Sequence, residues 1–466
     1  MRFTPVFAML GMLSLGYVAG SQSINPSPVP ADAEIREILA DRIDTQHQGV
    51  GIVVGVIDSR GRRVVAHGNM DIDSRSPVTG DTVFEIGSAT KVFTSLLLAD
   101  GVQRGEVALT DPASKYLPPD VRMPQRGGRQ ITLEDLATHT SGLPRLPSNL
   151  APKDPSNPYA DYGVAQLYAF LSSYELSRDI GSKYEYSNLG AGLLGHLLAR
   201  RAGVDYETLV RARITGPLAM TSTVVTLAEP LKQRLAPGHN ARRERVPNWD
   251  IPTLAGAGAI RSTANDMLTL LAAELGYTRS DLAPAMASML AVRRAADSPA
   301  LEIALGWLVL STRGGRQIVW HNGGTGGYRS FIGFDPKARV GVVVLSNMFT
   351  NVGVDDIGLH LLDASLPLFQ PPAARKEVAV TPAQLDRYVG KYELAPTFIL
   401  TVTRDGNRLF LQATGQPKFE LFAESERNFF LKVVDAQVTF EAEGEGRATG
   451  LTLHQNGAHQ QARRIE

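Results

Sequence analysis

The stretch Phe84-Glu85-Ile86-Gly87-Ser88-Ala89-Thr90-Lys91-Val92-Phe93 constrains this chain more than any other. It reads as the end of a strand, a glycine break and the first turn of a helix. The helix continues through Leu96-Leu97-Leu98-Ala99 without glycine or proline. A helix that is apolar all round has to be buried, so the fold must wrap a core around it. Ser88 falls at its start, where free backbone N–H groups and the positive end of the dipole favour negative charge. Lys91 lies one turn on, along the same face. A serine hydroxyl is a poor nucleophile until something takes its proton, and a neighbouring amine can do so. Ser88 and Lys91 form the chain's only Ser-x-x-Lys pair. A capping serine with a surface lysine would give the same pattern, so residues elsewhere have to decide.

Composition narrows the classes. The chain has 466 residues, enough for two or three domains. Its 47 basic and 47 acidic residues balance, which leaves no basic surplus for nucleic acid. Cysteine is absent, so disulfides, thiol chemistry and zinc–thiolate sites are excluded, and no metal or cofactor is expected. Residues 1–21 have the pattern of a signal peptide: Arg2, an apolar run over 3–18, and small residues for cleavage near Gly20 and Ser21. An uncleaved anchor is the alternative. Export, to the periplasm or beyond, is the expectation.

Along the chain, 31–44 has the spacing of an amphipathic helix, with Ile35, Ile38, Leu39 and Ile43 on one face. Residues 50–58 read as a strand that turns at Ser59-Arg60 and returns over 64–66. From 100 to 300 the pattern is helical. A helix capped by Thr132 is expected to run until Gly142 and Pro144 stop it. His139 near its end has two readings, a site residue or a satisfied polar group. A long Pro/Asn/Asp-rich loop covers 145–162. Tyr184-Glu185-Tyr186-Ser187-Asn188 then forms a turn before an apolar helix over 193–199. Such a turn can present a proton acceptor and an amide, or hold a packed tyrosine. Ser262-Thr263-Ala264-Asn265-Asp266 caps a helix over 267–273. Strands are expected over 304–311, 317–321, 330–334 and 340–345, followed by a helix over 354–366. The run His321-Asn322-Gly323-Gly324 ends one of those strands, where glycine admits close approach. It lacks the Gly-Lys-Ser/Thr of a phosphate loop. Gln370-Pro371-Pro372-Ala373 opens a linker over 369–381. Residues 382–466 alternate short strands and turns, the pattern of a small antiparallel barrel or sandwich.

Ser88-x-x-Lys91, Tyr186-x-Asn188 and His321-x-Gly323 occur in that order, with Leu136-Ala137-Thr138-His139-Thr140-Ser141-Gly142-Leu143-Pro144 between the first two. The ordered set resembles the serine beta-lactamase-related hydrolases: class C beta-lactamases, low-molecular-weight DD-peptidases and family VIII carboxylesterases. The resemblance covers 31–368, and the tail resembles a lipocalin-like β-domain. It implies an α/β (α+β) fold, an antiparallel sheet flanked by helices with a mostly helical insertion, plus the small β-barrel. It implies Ser88 as the acylated nucleophile, Lys91 as its amine partner and Tyr186 as general base or proton relay. Asn188, His321, Asn322 and Gly323 would contact substrate, and the N–H groups of Ser88 and Gly324 would form the oxyanion hole. The third motif is His-Asn-Gly where the family has Lys-Thr-Gly. A permanent cation and a hydroxyl for a substrate carboxylate are thereby missing. A histidine there is expected to change charge between pH 5 and 8 and so to act as an anion sensor.

Free lysine and tyrosine have pKa values of about 10.4 and 10, so neither is a base at neutral pH without help. Burial disfavours an ammonium and a nearby phenolate favours it, which makes Lys91 and Tyr186 a coupled pair. The expected substrate is a small molecule or peptide: a beta-lactam or a D-amino-acid peptide cleaved at an amide, with cell-wall contact. The alternatives are a carboxylesterase on the same scaffold and a catalytically silent wall-binding protein.

Overall fold

The apolar run at 50–58 forms the strand Gly51–Asp58, and it is buried along its whole length. Branched side chains suit the pleat, and alternate residues face opposite sides. Ile52, Val54 and Val56 therefore join one core, and Val53 and Ile57 the other. A computed structural model describes residues 29–371 and most of 375–466; residues 1–28, 372–374, 397, 417, 433–435, 443, 445, 456 and 457 lie outside the described residues. The signal-peptide segment and part of the Pro-Pro linker fall among the latter. Among the described residues, no helix is long and apolar enough to cross a membrane. The chain divides into two units, one ending at Phe369 and the other beginning at Gln370.

In the first unit Gly51–Asp58 belongs to an eight-stranded sheet. From edge to edge the strands are Gly61–Gly68, Gly51–Asp58, Val340–Ser346, Arg329–Asp335, Gln317–Gly324, Leu308–Ser311, Leu301–Ile303 and Arg294–Ala295. Every neighbouring pair is antiparallel. One face is covered by Ile35 and Leu39 of the helix Asp32–Ala40 and by Ile357 and Leu361 of Asp355–Leu362. The other face carries the larger core, with Val92, Phe93 and Leu96 of Thr90–Gln103 and Leu268 and Leu271 of Ala264–Glu274. The second of these helices lies so close to the sheet that a Cβ on Gly55 would come within 2.9 Å of Leu268.

Several elements differ from the sequence pattern. The helix expected to reach Gly142 is α-helical only over Leu133–Ala137. The chain leaves it through left-handed backbone at His139 (φ 57°) and Gly142 (φ 81°). The helix expected from 193 begins at Asn188 and runs to Ala202, because Ser187 caps it. Its glycines are packing positions: a Cβ on Gly192 would meet Leu254 at 2.6 Å, and one on Gly195 would meet Gly256 at 2.9 Å. The strand expected over 317–321 continues through the glycines to Gly324, held by Arg329–Asp335. The helix expected over 354–366 is shorter, Asp355–Leu362.

The second unit is a closed barrel of eight strands, each paired with the next in sequence and the last with the first. Tyr388, Tyr392, Leu400, Val438 and Phe440 fill its interior. The last strand, Ala458–Arg464, is almost wholly polar and buries only Ala462, so its sequence carries little alternation. Its pairing with Gly390–Ala395 closes the barrel.

Candidate active site

Ser88 sits in a single 3-10 turn, Gly87–Ala89, that feeds the buried helix Thr90–Gln103. Phe84 and Glu85 pair with Ser262 and Arg261, which holds the turn on one side. The sheet holds it on the other, where Ser330 Oγ donates to the Ile86 carbonyl at 2.7 Å. Contact is close enough that only glycine fits. A Cβ on Gly323 would fall 1.9 Å from the Ile86 oxygen, and one on Gly87 (φ 49°) would fall 2.6 Å from the Gly324 nitrogen. These glycines bring the backbone of the Ser88 turn against the end of the His321 strand. A Cβ at either position would push the two apart.

Lys91 is 2% exposed and makes three contacts. Its Nζ lies 2.9 Å from Ser88 Oγ and donates to Asn188 Oδ1 at 2.9 Å and to the Ala257 carbonyl at 2.8 Å. Burial, and then the Arg145 cation, push its pKa well below the usual lysine value. In its neutral form, which that shift favours, the amine has two N–H groups and one lone pair. The Ala257 carbonyl can only accept, and Asn188 turns its amide oxygen to the lysine while its Nδ2 donates to the Tyr159 hydroxyl at 3.3 Å. Those two acceptors take the two N–H groups. The lone pair is left facing Ser88 Oγ, which can donate into it.

Tyr186 lies over this lysine, with Nζ 4.7 Å from the ring centroid. The Arg145 guanidinium is 5.1 Å from the same centroid. Burial raises the Tyr186 phenol, while the Ser88 hydroxyl and Arg145 offset part of that rise. The phenol therefore keeps its proton in the neutral range. Ser187 fixes Tyr186 and Asn188 around itself. Its Oγ accepts from Gly190 N at 2.8 Å and donates to the Pro144 carbonyl at 2.6 Å, and its N–H donates to His139 Nδ1 at 3.1 Å. His139 also stacks on Tyr186, at 4.6 Å between centroids. Its buried imidazole has its pKa pushed well down, by burial first and then by Lys91. Of its two sequence readings, this is the satisfied polar group, holding Tyr186 in place.

The third motif divides. His321 is 1% exposed, its ring 6.3 Å from that of Tyr186, and Nδ1–H donates to the Asn322 carbonyl at 2.6 Å. Burial, the largest cause, lowers its pKa to about 3, against a weaker opposing effect of that hydrogen bond. His321 is thus neutral throughout pH 5 to 8, which corrects the expected anion sensor. Asn322 is also corrected. Alternation along the strand turns its side chain to the opposite face, where Nδ2 donates to Asp355. Burial raises the Asp355 carboxyl to about 6.

Sequence reading missed four contributors: the Ala257 carbonyl, Ser330, Tyr159 and Arg145. The only sequence signal for the first is the small-residue run Ala255-Gly256-Ala257-Gly258, which admits close approach. The resulting cleft is lined by Ser88, Tyr159, Asn188, Trp249, Ala257 and Gly324 among others. Among the described residues, no group of three or more His, Cys, Asp or Glu could hold a metal. The arrangement can move a proton from a serine hydroxyl to a buried amine at the foot of a cleft.

A Beta-lactamase family model matches residues 32–365, and a "Domain of unknown function (DUF3471)" matches 374–464. The D-alanyl-D-alanine-carboxypeptidase/endopeptidase AmpH of Escherichia coli (strain K12) is 32% identical over 350 residues, spanning 72% of this chain and 89% of that protein. Penicillin-binding protein 4* of Bacillus subtilis (strain 168) is 25% identical over 468 residues, 92% of this chain and 98% of that one. Among solved structures, a beta-lactamase/D-alanine carboxypeptidase from Yersinia pestis complexed with citrate superposes with a TM-score of 0.63 at 26% identity, covering 72% of this chain and 98% of that one.

Proposed function

This chain belongs to the beta-lactamase family and is a serine hydrolase, and from that premise we propose that it cleaves amides of D-amino-acid peptides or beta-lactams through an acyl-serine on Ser88. The observation that carries the reading is the Lys91 amine, whose two fixed acceptors leave its lone pair to Ser88 Oγ. In the first step Ser88 Oγ bonds to the scissile carbonyl carbon as its proton passes to Lys91 Nζ. The negative charge that develops on the carbonyl oxygen is held by the N–H groups of Ser88 and Gly324. Collapse breaks the C–N bond. The leaving nitrogen takes the phenolic proton of Tyr186, which Lys91 restores. Water then releases the acyl group by the reverse proton path. Asn188 orients Lys91 and meets the substrate amide. The apolar run at 3–18 supports export, and an exported chain would meet peptidoglycan stems.

Carboxylester cleavage is the second reading. Neutral His321 favours it, because the third motif then offers no cation to a substrate carboxylate. Intact-mass analysis after incubation with a fluorescent penicillin, a D-Ala-D-Ala peptide and p-nitrophenyl esters separates the two. The amide reading expects a covalent adduct with the penicillin and turnover of the peptide. Adducts and turnover from esters alone would leave the esterase reading, and no adduct from any of the three would sink both.

A further inference from the structure

We propose that His454 and His459 on the outside of the barrel bind copper(II) through their two Nδ1 atoms. The inference stands apart from the acyl-serine reading. It lies in the unit that begins at Gln370 and uses no residue that lines the Ser88 cleft.

His454 lies on the strand Gly450–Gln455 and His459 on Ala458–Arg464, and the antiparallel register sets them directly opposite each other. Leu451, Leu453 and Ala462 belong to the barrel core. Alternation along each strand therefore turns both histidines outward. Thr439 on Ala436–Glu441 faces outward for the same reason, between the core residues Val438 and Phe440. Its Oγ1 lies 2.9 Å from His454 Nε2, which fixes the far side of that ring. The near nitrogens meet: His454 Nδ1 is 2.7 Å from His459 Nδ1, with the rings inclined at 70°.

Two neutral imidazoles at that distance hold one proton between them, since two lone pairs would repel and two N–H groups would collide. A metal ion can take the place of that proton. Two nitrogens bonded at about 2.05 Å stand roughly 2.9 Å apart at a right angle and roughly 3.4 Å apart at the tetrahedral angle. The observed 2.7 Å is nearer the right angle, which is the angle of tetragonal copper(II) rather than of zinc. Imidazole suits copper, and affinity among the divalent first-row metals peaks there. On binding, two waters leave the ion and two Cu–N bonds form. The shared proton moves to Nε2 of its own ring, so none is released. His454 Nε2–H then donates to Thr439 Oγ1, an outer partner that keeps the ligand oriented. Burial, and then the His459 charge, hold the His454 pKa below the ordinary histidine value, which keeps its lone pair available at neutral pH. Among the described residues no third His, Asp or Glu joins the pair, so water completes the coordination. The chain has no cysteine, so no thiolate competes for the ion.

The test is titration of untagged full-length protein with copper(II) sulfate, followed by calorimetry and by pulsed electron paramagnetic resonance. It is run on wild type, His454→Ala, His459→Ala and the double variant, each checked for an unchanged circular dichroism spectrum. The expected result is one copper per chain, with spin-echo modulation from two imidazoles. Either single variant should weaken binding by about tenfold or more. Failure of wild type to bind copper overturns the inference. So does copper that the double variant binds equally well. Bound copper whose spin echo shows fewer than two imidazoles also overturns it, and the wild-type spectrum decides that point whether or not the variants fold.

Discussion

In the unit ending at Phe369, Glu85, Lys91, His139, Arg261 and His321 are each exposed by 7% or less. In the barrel from Gln370 onward, the buried side chains among the described residues are aliphatic or aromatic, with no charged, hydroxyl-bearing aliphatic or amide group. Its interior phenols are satisfied locally: Tyr388 donates to the Glu426 carbonyl at 2.8 Å and Tyr392 to the Tyr388 carbonyl at 2.8 Å. Both units solve the folding problem, and the barrel does so with oil and backbone ladders. Burying an amine or an imidazole costs free energy unless partners are supplied. The first unit accepts that cost around one helix start, and the result is an amine whose protonation is unlike that of a free lysine. Among the described residues, the concentration of buried polar groups, rather than fold size, separates the first unit from the barrel.

The comparison is broken most severely at Ser88. Ser88→Ala is expected to remove all covalent labelling by a penicillin probe while leaving the circular dichroism spectrum unchanged. Equal labelling of mutant and wild type would relocate the nucleophile. Lys91→Met removes the proton acceptor and should slow acylation by about 10²–10⁴-fold, measured by stopped-flow quenching of probe fluorescence. An acylation rate within about threefold of wild type would assign the proton to another group.

His321 tests the electrostatic side of the comparison. Its folded pKa of about 3 lies below the ordinary histidine value. The unfolded chain therefore binds more protons between those values, and stability falls as pH drops through the histidine range. From pH 7 to pH 5 the loss from this group is about 2 kcal/mol. Chemical denaturation should show His321→Gln losing about that much less than wild type over the interval. An unchanged pH dependence would mean that His321 titrates normally. The smallest effect belongs to the barrel. A chain ending at Phe369 should unfold cooperatively and keep its acylation rate within about threefold, because the units separate there. A non-cooperative melt would make the barrel part of the hydrolase core.

Much of this was legible in the sequence because the strongest signals are local. The buried Ser88 helix, the strand at 50–58 and the order of the three motifs required only spacing and hydrophobicity. Asn188 and Lys91 are 97 positions apart, and their motifs, each weak alone, were legible only as members of the ordered set. What escaped depends on contacts made at long range. The Ala257 carbonyl, a backbone atom in a run of small residues, meets Lys91 from 166 positions away. The Ser330 hydroxyl reaches the Ile86 carbonyl from 244 positions away. The charge state of His321 was misread because an imidazole's pKa follows its burial, which a strand-end pattern with adjacent glycines does not reveal. Asn322 was misassigned for a simpler reason: pleating sends it to the face opposite His321. The final strand of the barrel, polar along most of its length, shows up only through the pairing that closes the ring.

The account turns on a neutral Lys91 in the free enzyme. The direct measurement is an NMR pH titration of protein carrying 13C-labelled lysine, with the Lys91 signal assigned by its loss in Lys91→Arg. The account predicts that this one side chain titrates well below the remaining lysines and is already neutral while they are charged. A Lys91 signal that titrates with the others, near the ordinary value of about 10.4, would contradict it.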